Sequence, residues 1–81
     1  MKIDYVPRAL KALGDAPADV RRAFFKQVGF LEQDLHHPSL RAKKYDEGRD
    51  IWQARVNGSW RFYFHIVGDV YLIPDIIPHP K

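Results

Sequence analysis

The sequence predicts an α+β fold in which two N-terminal helices pack on one face of a small antiparallel sheet. Apolar residues recur at helical spacing up to about residue 35, and then alternate with polar residues at strand spacing over residues 52–66. The chain has 81 residues, of which 46% are hydrophobic, enough for one small core. The expected order is β-α-α-β-β-β in two layers, with residues 1–81 forming a single domain.

The first strand and the first helix are both short. Residues 2–6 alternate in polarity, which predicts a strand. Pro7 suits the first turn of a helix, because its missing N–H has no partner there. The helix is expected over residues 8–13, with Gly14 as its C-cap.

The second helix is expected to run from Asp19, a favourable N-cap residue, to about Leu35. Gly29 lowers the stability of this helix by roughly 1 kcal/mol relative to alanine, and we expect it where the first helix comes close. One apolar stripe follows spacings of four and three residues. It consists of Val20, Phe24, Val28, Leu31 and Leu35, and is widened by Phe25 and Phe30.

A basic segment follows the second helix. A break around Pro38 ends the helix, and residues 40–50 are expected to be irregular. Over residues 38–61 six cationic side chains stand against three anionic ones, so this segment alone carries a net charge of +3. A basic patch beside aromatic residues is typical of nucleic-acid-binding proteins, and the alternative is an ordinary solvated surface.

The next part of the chain predicts a β-hairpin with one apolar and one polar face. Its strands are residues 52–56 and 60–66, joined by Asn57-Gly58-Ser59. A two-residue turn would bring Arg61 to the apolar face, where desolvation disfavours a charge. A three-residue loop keeps all apolar residues together, with the glycine adopting the unusual backbone angles. The expected register therefore places Arg55 opposite Arg61.

The polar face of this hairpin carries chemistry suited to a phosphate backbone. Like charges directly opposite each other destabilise a sheet, and such local costs are typical of functional sites. Guanidinium groups are planar and permanently charged, and bind phosphate in a bidentate way. Arg55 and Arg61 are therefore candidate phosphate ligands. Gln53, Tyr63 and His65 lie on the same face.

A turn at Gly68-Asp69 leads to a last strand over residues 70–77. Pro74 cannot donate a hydrogen bond to a neighbouring strand, which predicts an edge position or a bulge. His79 follows in a proline-rich tail. Because imidazole titrates near neutral pH, His79 is the first candidate for an acid or base, and His65 is the second.

Several classes of protein are disfavoured by composition. The chain has no cysteine, which excludes disulfides and thiol catalysis, and His36-His37 have no ligand partner at metal-binding spacing. No stretch approaches the roughly 20 apolar residues of a membrane span, and no secretory leader is visible. We therefore expect a cytoplasmic protein without metal, cofactor or membrane contact.

The pattern of the C-terminal half resembles that of the RelE/ParE superfamily, the toxins of bacterial type II toxin–antitoxin modules. The resemblance is carried by Leu40-Arg41-Ala42-Lys43-Lys44-Tyr45 and by residues 51–64, a basic segment followed by two aromatic and basic strands. It covers most of the chain and implies a RelE-like two-layer sandwich. The RelE-like branch, which is favoured here, cleaves messenger RNA, usually on the ribosome. The ParE-like branch inhibits DNA gyrase and does not cut RNA.

The resemblance also implies site residues. Arg61 matches the family's arginine on the third strand, and Arg55 matches a lysine or arginine that faces it. Gln53 stands where the RelE-like branch often has another lysine, and the prolines beside His79 depart from the family pattern. The expected catalytic residues are Arg55, Arg61 and His79. The expected substrate-binding residues are Arg41, Lys43, Lys44, Tyr45, Tyr63, His65 and Lys81.

Metal-independent RNA cleavage gives these residues their expected roles. A 2′-hydroxyl attacks the adjacent phosphorus, which requires a base, positive charge near the phosphorane and an acid for the leaving oxygen. The arginines would supply the charge and His79 the acid or base. The expected partners are a cognate antitoxin, mRNA and the ribosome. DNA gyrase is the partner under the alternative, and a non-toxic remnant or a plain RNA-binding module is a third possibility.

Overall fold

The computed structural model describes residues 2–79. In chain order their elements are β1 (Lys2–Tyr5), α1 (Pro7–Asp15), α2 (Ala18–Gln33), a short 3-10 helix (Pro38–Leu40), β2 (Lys43–Asp46), β3 (Ile51–Arg55), β4 (Trp60–Val67) and β5 (Val70–Pro78). The strands form one sheet in the order β1-β5-β4-β3-β2. The predicted α+β fold, with two helices preceding the main part of the sheet, is confirmed.

The sheet is larger than expected at both of its edges. β2 lies in the segment that was expected to be irregular, and it pairs antiparallel with β3. Its sequence, Lys43–Asp46, has charged residues on both faces, so no alternation of apolar and polar residues marks it as a strand. At the other edge β1 pairs parallel with β5, so the sheet is mixed rather than antiparallel.

Pro74 lies in β5, between two neighbouring strands, and not at an edge of the sheet. β1 ends at Tyr5, which pairs with Ile73, so β1 does not reach Pro74. The pairing of β5 with β4 shifts between Tyr63 and His65. The missing N–H of the proline therefore falls at an irregularity of the ladder, which is the second of the two predicted alternatives.

The core lies between α2 and the apolar face of the sheet. Phe24 of α2 is fully buried, and its ring meets that of Phe62 edge to face at 5.3 Å between centroids. Phe25, the next residue, is 54% exposed and does not widen the apolar stripe as expected. The rest of the stripe within the helix is buried, as predicted, at Val20, Phe24, Val28 and Leu31.

The helix ends differ from the sequence-based bounds. α1 continues through Gly14, and Pro17 is the N-cap of α2, so Asp19 lies in the first turn, where no side chain caps the helix. A carboxylate in the first turn still stabilises the helix, because it lies near the positive end of the helix dipole. Among the described residues nothing lies within 4 Å of a Cβ placed on Gly29, so this glycine serves no close approach. Neither α1 nor α2 is long and apolar enough to cross a membrane.

The hairpin has the predicted register. Arg55 pairs with Arg61, and Gln53 pairs with Tyr63. The backbone N–H of Val56 donates to the carbonyl oxygen of Trp60 at 3.0 Å, which closes the loop over three residues. All the apolar side chains of β3 and β4 that were expected to be buried therefore share the helix-facing side of the sheet.

Asn57, and not Gly58, shapes the hairpin loop. Oδ1 of Asn57 accepts hydrogen bonds from the backbone N–H groups of Ser59, at 2.8 Å, and Trp60, at 2.9 Å. An asparagine oxygen that accepts a hydrogen bond from the N–H two residues later forms an Asx turn, which takes the place of a backbone turn. Among residues 2–79 the glycine with a positive φ is Gly68. The expectation that Gly58 adopts unusual angles was wrong.

We expect Asn57→Ala to lower the free energy of unfolding by about 1 kcal/mol, because two backbone N–H groups lose their acceptor. Gly58→Ala is expected to raise it by about 0.4 kcal/mol or more, since alanine can adopt this backbone conformation and restricts the unfolded chain. The added methyl group would lie 3.8 Å from Nη2 of Arg55, an ordinary contact. Urea unfolding of both variants measures the difference, and a larger loss for Gly58→Ala would contradict this account of the loop.

Candidate active site

The sheet face opposite the helices carries most of the polar residues that the sequence singled out. The pairing of β2 with β3 and of β3 with β4 sets Lys43 beside Gln53, and Gln53 beside Tyr63. At the hairpin end of the same face the opposed Arg55 and Arg61 are half-buried. The arginines are therefore held in a recess and do not extend freely into solvent.

A cleft of about 210 Å³ lies at this end of the face. We call it the basic cleft. Its walls come from the residue after the 3-10 helix, from β2, β3 and β4, and from the residue after β5. It unites all three residues predicted to be catalytic with two of those predicted to bind substrate. The lining residues are Arg41, Lys43, Gln53, Ala54, Arg55, Arg61 and His79.

The guanidinium group of Arg61 is fixed by the hairpin loop. Its Nη1 donates to the carbonyl oxygens of Asn57, at 2.7 Å, and Trp60, at 2.9 Å. These bonds engage one of the three guanidinium nitrogens, which leaves N–H donors on the other two for a ligand. The group is thus oriented before any ligand binds.

The cations of the basic cleft have no carboxylate partner among residues 2–79. The ion pairs of this part of the chain are Arg8–Asp75, Lys44–Asp50 and Arg49–Asp46, and none includes a residue of the cleft. Burial, and then the neighbouring Arg55 and Arg41, lower the pKa of the Arg61 guanidinium from its usual value. Because a guanidinium stays protonated nonetheless, the cleft holds mutually repelling charges that a bound anion would relieve.

Arg41 enters the basic cleft from a strained backbone. It follows the 3-10 helix with φ 46° and ψ 42°, in the left-handed region. That conformation costs a residue other than glycine on the order of 1 kcal/mol. Since glycine or asparagine usually marks such positions, the sequence gives no sign of the bend at Arg41.

His79 reaches the cleft through its backbone. Its N–H donates to the carbonyl oxygen of Ser59 at 2.7 Å, which ties the residue after β5 to the loop between β3 and β4. His79 is an exposed residue and is one of those that line the cleft. The other predicted residue of the tail, Lys81, lies outside the described residues.

Tyr45 and Tyr63 lie beside the basic cleft. Their rings meet edge to face with 5.0 Å between centroids, and both residues line a second depression of about 350 Å³. Nε2 of Gln53 donates to the hydroxyl oxygen of Tyr63 at 3.2 Å, which links this depression to the basic cleft. Tyr45 is 59% exposed, so an aromatic surface is available next to the cationic one.

Two of the predicted binding residues lie away from the basic cleft. Lys44 pairs with Trp52 on the opposite face, where its Nζ lies 5.0 Å from the centre of the indole ring and donates to Asp50. That hydrogen bond raises the pKa of Lys44 and lowers that of Asp50. Lys44 does not share the site of Lys43, because successive residues of a strand point to opposite faces. His65 lies further along β4 and does not line the cleft.

Two glutamines are buried, although no role was predicted for either of them from the sequence. Gln53 is 8% exposed and lines the cleft. Gln27 of α2 is 6% exposed, and its Nε2 donates to the backbone oxygens of Ser39 and Arg55. The available signal was its position three residues after Phe24, inside the apolar stripe, because a polar side chain at a core position needs hydrogen-bond partners.

The fold is shared with solved structures of bacterial and archaeal toxins. A YoeB/ParE toxin from Agrobacterium tumefaciens superposes with a TM-score of 0.82 at 10% identity, over 99% of this chain and 100% of the other. A chain of the RelE–RelB complex from Pyrococcus horikoshii OT3 gives 0.82 at 20% identity, over 99% and 96%. A chain of the intact Escherichia coli RelBE toxin–antitoxin complex gives 0.74 at 14% identity, over 99% and 98%. No family model and no curated protein matches the sequence. This chain therefore has the fold of the RelE/ParE-superfamily toxins.

Proposed function

We propose that this chain is the toxin of a type II toxin–antitoxin module and that it cleaves mRNA without a metal ion. The observation that carries the proposal is the basic cleft, in which Arg41, Lys43, Arg55 and Arg61 converge with His79 and without a carboxylate partner among residues 2–79. The proposal treats residues 1–81 as one toxin domain acting in the cytoplasm, in association with the ribosome.

In the proposed reaction Arg55 and Arg61 bind the scissile phosphate. A 2′-oxygen forms a bond to phosphorus, the bond from phosphorus to the 5′-oxygen breaks, and the products end in a 2′,3′-cyclic phosphate and a 5′-hydroxyl. Negative charge grows on the non-bridging oxygens along the way. Groups that are oriented in advance stabilise such charge most effectively, and the loop carbonyls hold Arg61 in this way.

His79 is assigned the proton transfers. As a residue that lines the basic cleft, His79 can take the proton of the 2′-hydroxyl or give one to the leaving 5′-oxygen, and solvent water exchanges the other proton. Neutral imidazole serves as a base and imidazolium as an acid. Because the attacking and leaving groups both belong to the RNA, the cleavage step consumes no water.

The remaining residues are assigned to binding of the strand. Arg41 and Lys43 would contact phosphates beside the scissile one, and the exposed ring of Tyr45, supported by Tyr63, would stack on a base. Lys81 would add a contact from the tail. His65 is left as a peripheral contact further along the face.

A cognate antitoxin would neutralise the toxin by covering the basic face or by displacing an element that the face needs. Among the similar structures named above, RelE–RelB and RelBE are complexes of a toxin with its antitoxin. Carboxylates of such a partner would form hydrogen-bonded ion pairs with the cations of the basic cleft, as a phosphate would.

Gyrase inhibition is the alternative. Its support is the neutral Gln53, which lines the cleft where the RelE-like branch often has a lysine. Induced expression separates the two functions. The proposal expects growth arrest with cut transcripts, whereas arrest with intact transcripts and reduced DNA supercoiling would favour the alternative. Harmless expression without any antitoxin would point to an inactive remnant.

A purified-protein assay tests the chemistry. The toxin is incubated with free RNA in EDTA and, in a separate arm that keeps Mg²⁺, with RNA on ribosomes. Each arm includes an RNA that carries a 2′-deoxy nucleotide at the mapped cleavage site. Cleavage of the ribose substrate to a 2′,3′-cyclic phosphate end is expected, and the deoxy substrate should survive. Cleavage of the deoxy substrate would exclude attack by the 2′-hydroxyl.

Adjacent lysines provide a matched test of which face binds RNA. Lys43 lines the basic cleft, whereas Lys44 lies on the opposite face with Trp52 and Asp50. Lys43→Ala should weaken binding of single-stranded RNA and reduce the slope of log K against log salt by about 0.7, the value for one phosphate contact. Lys44→Ala removes the same charge and should leave the slope unchanged. Equal slopes for the two variants would contradict the assignment of the binding face.

A further inference from the structure

We infer that Gln27, on the helix side of the sheet, positions Arg41 and Arg55 in the basic cleft. Gln27 does not line the cleft, so it is a positioning residue and not a catalytic one. The inference rests on the proposed function for the nature of the bound anion, which would be a phosphate group of RNA. The arrangement itself can be tested with inorganic pyrophosphate alone.

The geometry of the Gln27 side chain supports this role. Its Nε2 donates to the carbonyl oxygen of Ser39 at 2.9 Å and to that of Arg55 at 2.8 Å. Both partners are carbonyl oxygens, which only accept hydrogen bonds, so they determine which end of the amide faces them. With 6% of its surface exposed, Gln27 holds these contacts away from competing water.

One carbonyl group belongs to a residue of the cleft, and the other belongs to the residue two positions before another residue of the cleft. One is the backbone oxygen of Arg55 itself, at the end of β3. The other belongs to Ser39 in the 3-10 helix, whose last residue, Leu40, is fully buried and precedes Arg41. One amide group therefore joins the segment between α2 and β2 to the strand that carries Arg55.

The sheet explains why Arg55 needs this partner. β2 first pairs with β3 where Lys43 lies opposite Gln53. Continued by two residues, this register would bring Arg41 opposite Arg55, but Arg41 has left-handed backbone angles and lies outside β2. The ladder therefore stops short, and Gln27 supplies the N–H that the carbonyl of Arg55 would otherwise lack.

Loss of this amide should loosen the cleft. Arg41 and Arg55 carry like charges, and both lie near enough to Arg61 to lower its pKa. Without the shared amide, the segment that carries Arg41 and the strand that carries Arg55 would move apart under this repulsion. A phosphate would then have to pull the arginines together at the expense of binding.

The test compares Gln27→Leu with Val28→Ala. Leucine keeps much of the volume of glutamine but cannot donate, whereas Val28→Ala removes buried core atoms from the same helix at a residue that does not line the cleft. Pyrophosphate affinity is measured by titration calorimetry at a temperature where both variants are folded. We expect Gln27→Leu to bind pyrophosphate about tenfold more weakly, the loss of roughly one net hydrogen bond, and Val28→Ala to bind as wild type does. Equal affinities for Gln27→Leu and wild type would overturn the inference.

A second measurement uses the unmodified chain, in case Gln27→Leu does not fold. In an NMR titration with pyrophosphate, the side-chain amide signals of Gln27 should shift together with the Nε–H signals of Arg41 and Arg55. Unchanged Gln27 signals at saturating pyrophosphate would also overturn the inference. If pyrophosphate binding depends on Gln27 but wild type does not cleave RNA, the inference stands and the proposed function fails.

Discussion

Arg61→Ala is expected to lower the rate of RNA cleavage by about 100-fold or more and to abolish growth arrest on induced expression. The guanidinium is oriented by the carbonyl oxygens of Asn57 and Trp60, so under the proposed function its loss would remove a group placed in advance for the transition state. The measurement is single-turnover cleavage of a defined RNA, accompanied by mapping of transcript ends in cells. The loss should appear mainly in the rate constant, because under the proposed function Arg41, Lys43 and Arg55 would still bind the strand.

Two control variants separate geometry from charge. Arg61→Lys keeps the charge but cannot bind phosphate in a bidentate way, so an intermediate rate is expected. Arg22→Ala removes the same charge from an exposed position on α2 and should cleave RNA as wild type does. Cleavage by Arg61→Ala within a few-fold of wild type would exclude a catalytic role for Arg61.

Arg55→Glu is expected to lower RNA cleavage strongly and at the same time to stabilise the fold. In the native chain Arg55 lies opposite Arg61, so a glutamate there replaces a repelling pair by an attracting one. The free energy of unfolding should rise by about 0.5 kcal/mol, a typical value for a partly exposed ion pair. RNA cleavage should fall by about 100-fold or more, because the carboxylate occupies the place of the phosphate and repels it.

Urea unfolding and a cleavage assay on the same preparation test both expectations. Arg55→Gln is the control, since it removes the charge without adding the opposite one, and its stability should lie between those of wild type and Arg55→Glu. The gain in stability should shrink as salt is added, because screening weakens both the repulsion and the new attraction. A variant that is both less stable and inactive would indicate that Arg55 serves the fold rather than a bound anion.

The hairpin could be predicted from the sequence because desolvation allows one register only. Arg61 would have been forced into the core by any loop of even length, and the structure has the three-residue loop and the Arg55–Arg61 pair. The stripe of α2 was equally clear, since its apolar residues follow one helical face.

The remaining features depend on contacts that are distant in sequence. β2 is charged on both faces and becomes a strand only because β3 lies beside it. The left-handed backbone of Arg41 and the two hydrogen bonds of Gln27 require the 3-10 helix, α2 and β3 to come together. The place of His79 follows from a backbone bond to Ser59 that no local pattern announces.

The hairpin loop also restricts which insertions and deletions the chain can tolerate. Removal or addition of one residue between Val56 and Trp60 would move every side chain of β4 to the opposite face of the sheet. Arg61 would then face the helices, and Phe62, now fully buried, would face solvent. Changes of two residues would preserve both faces. In functional homologues we therefore expect the length of this loop to vary in even steps.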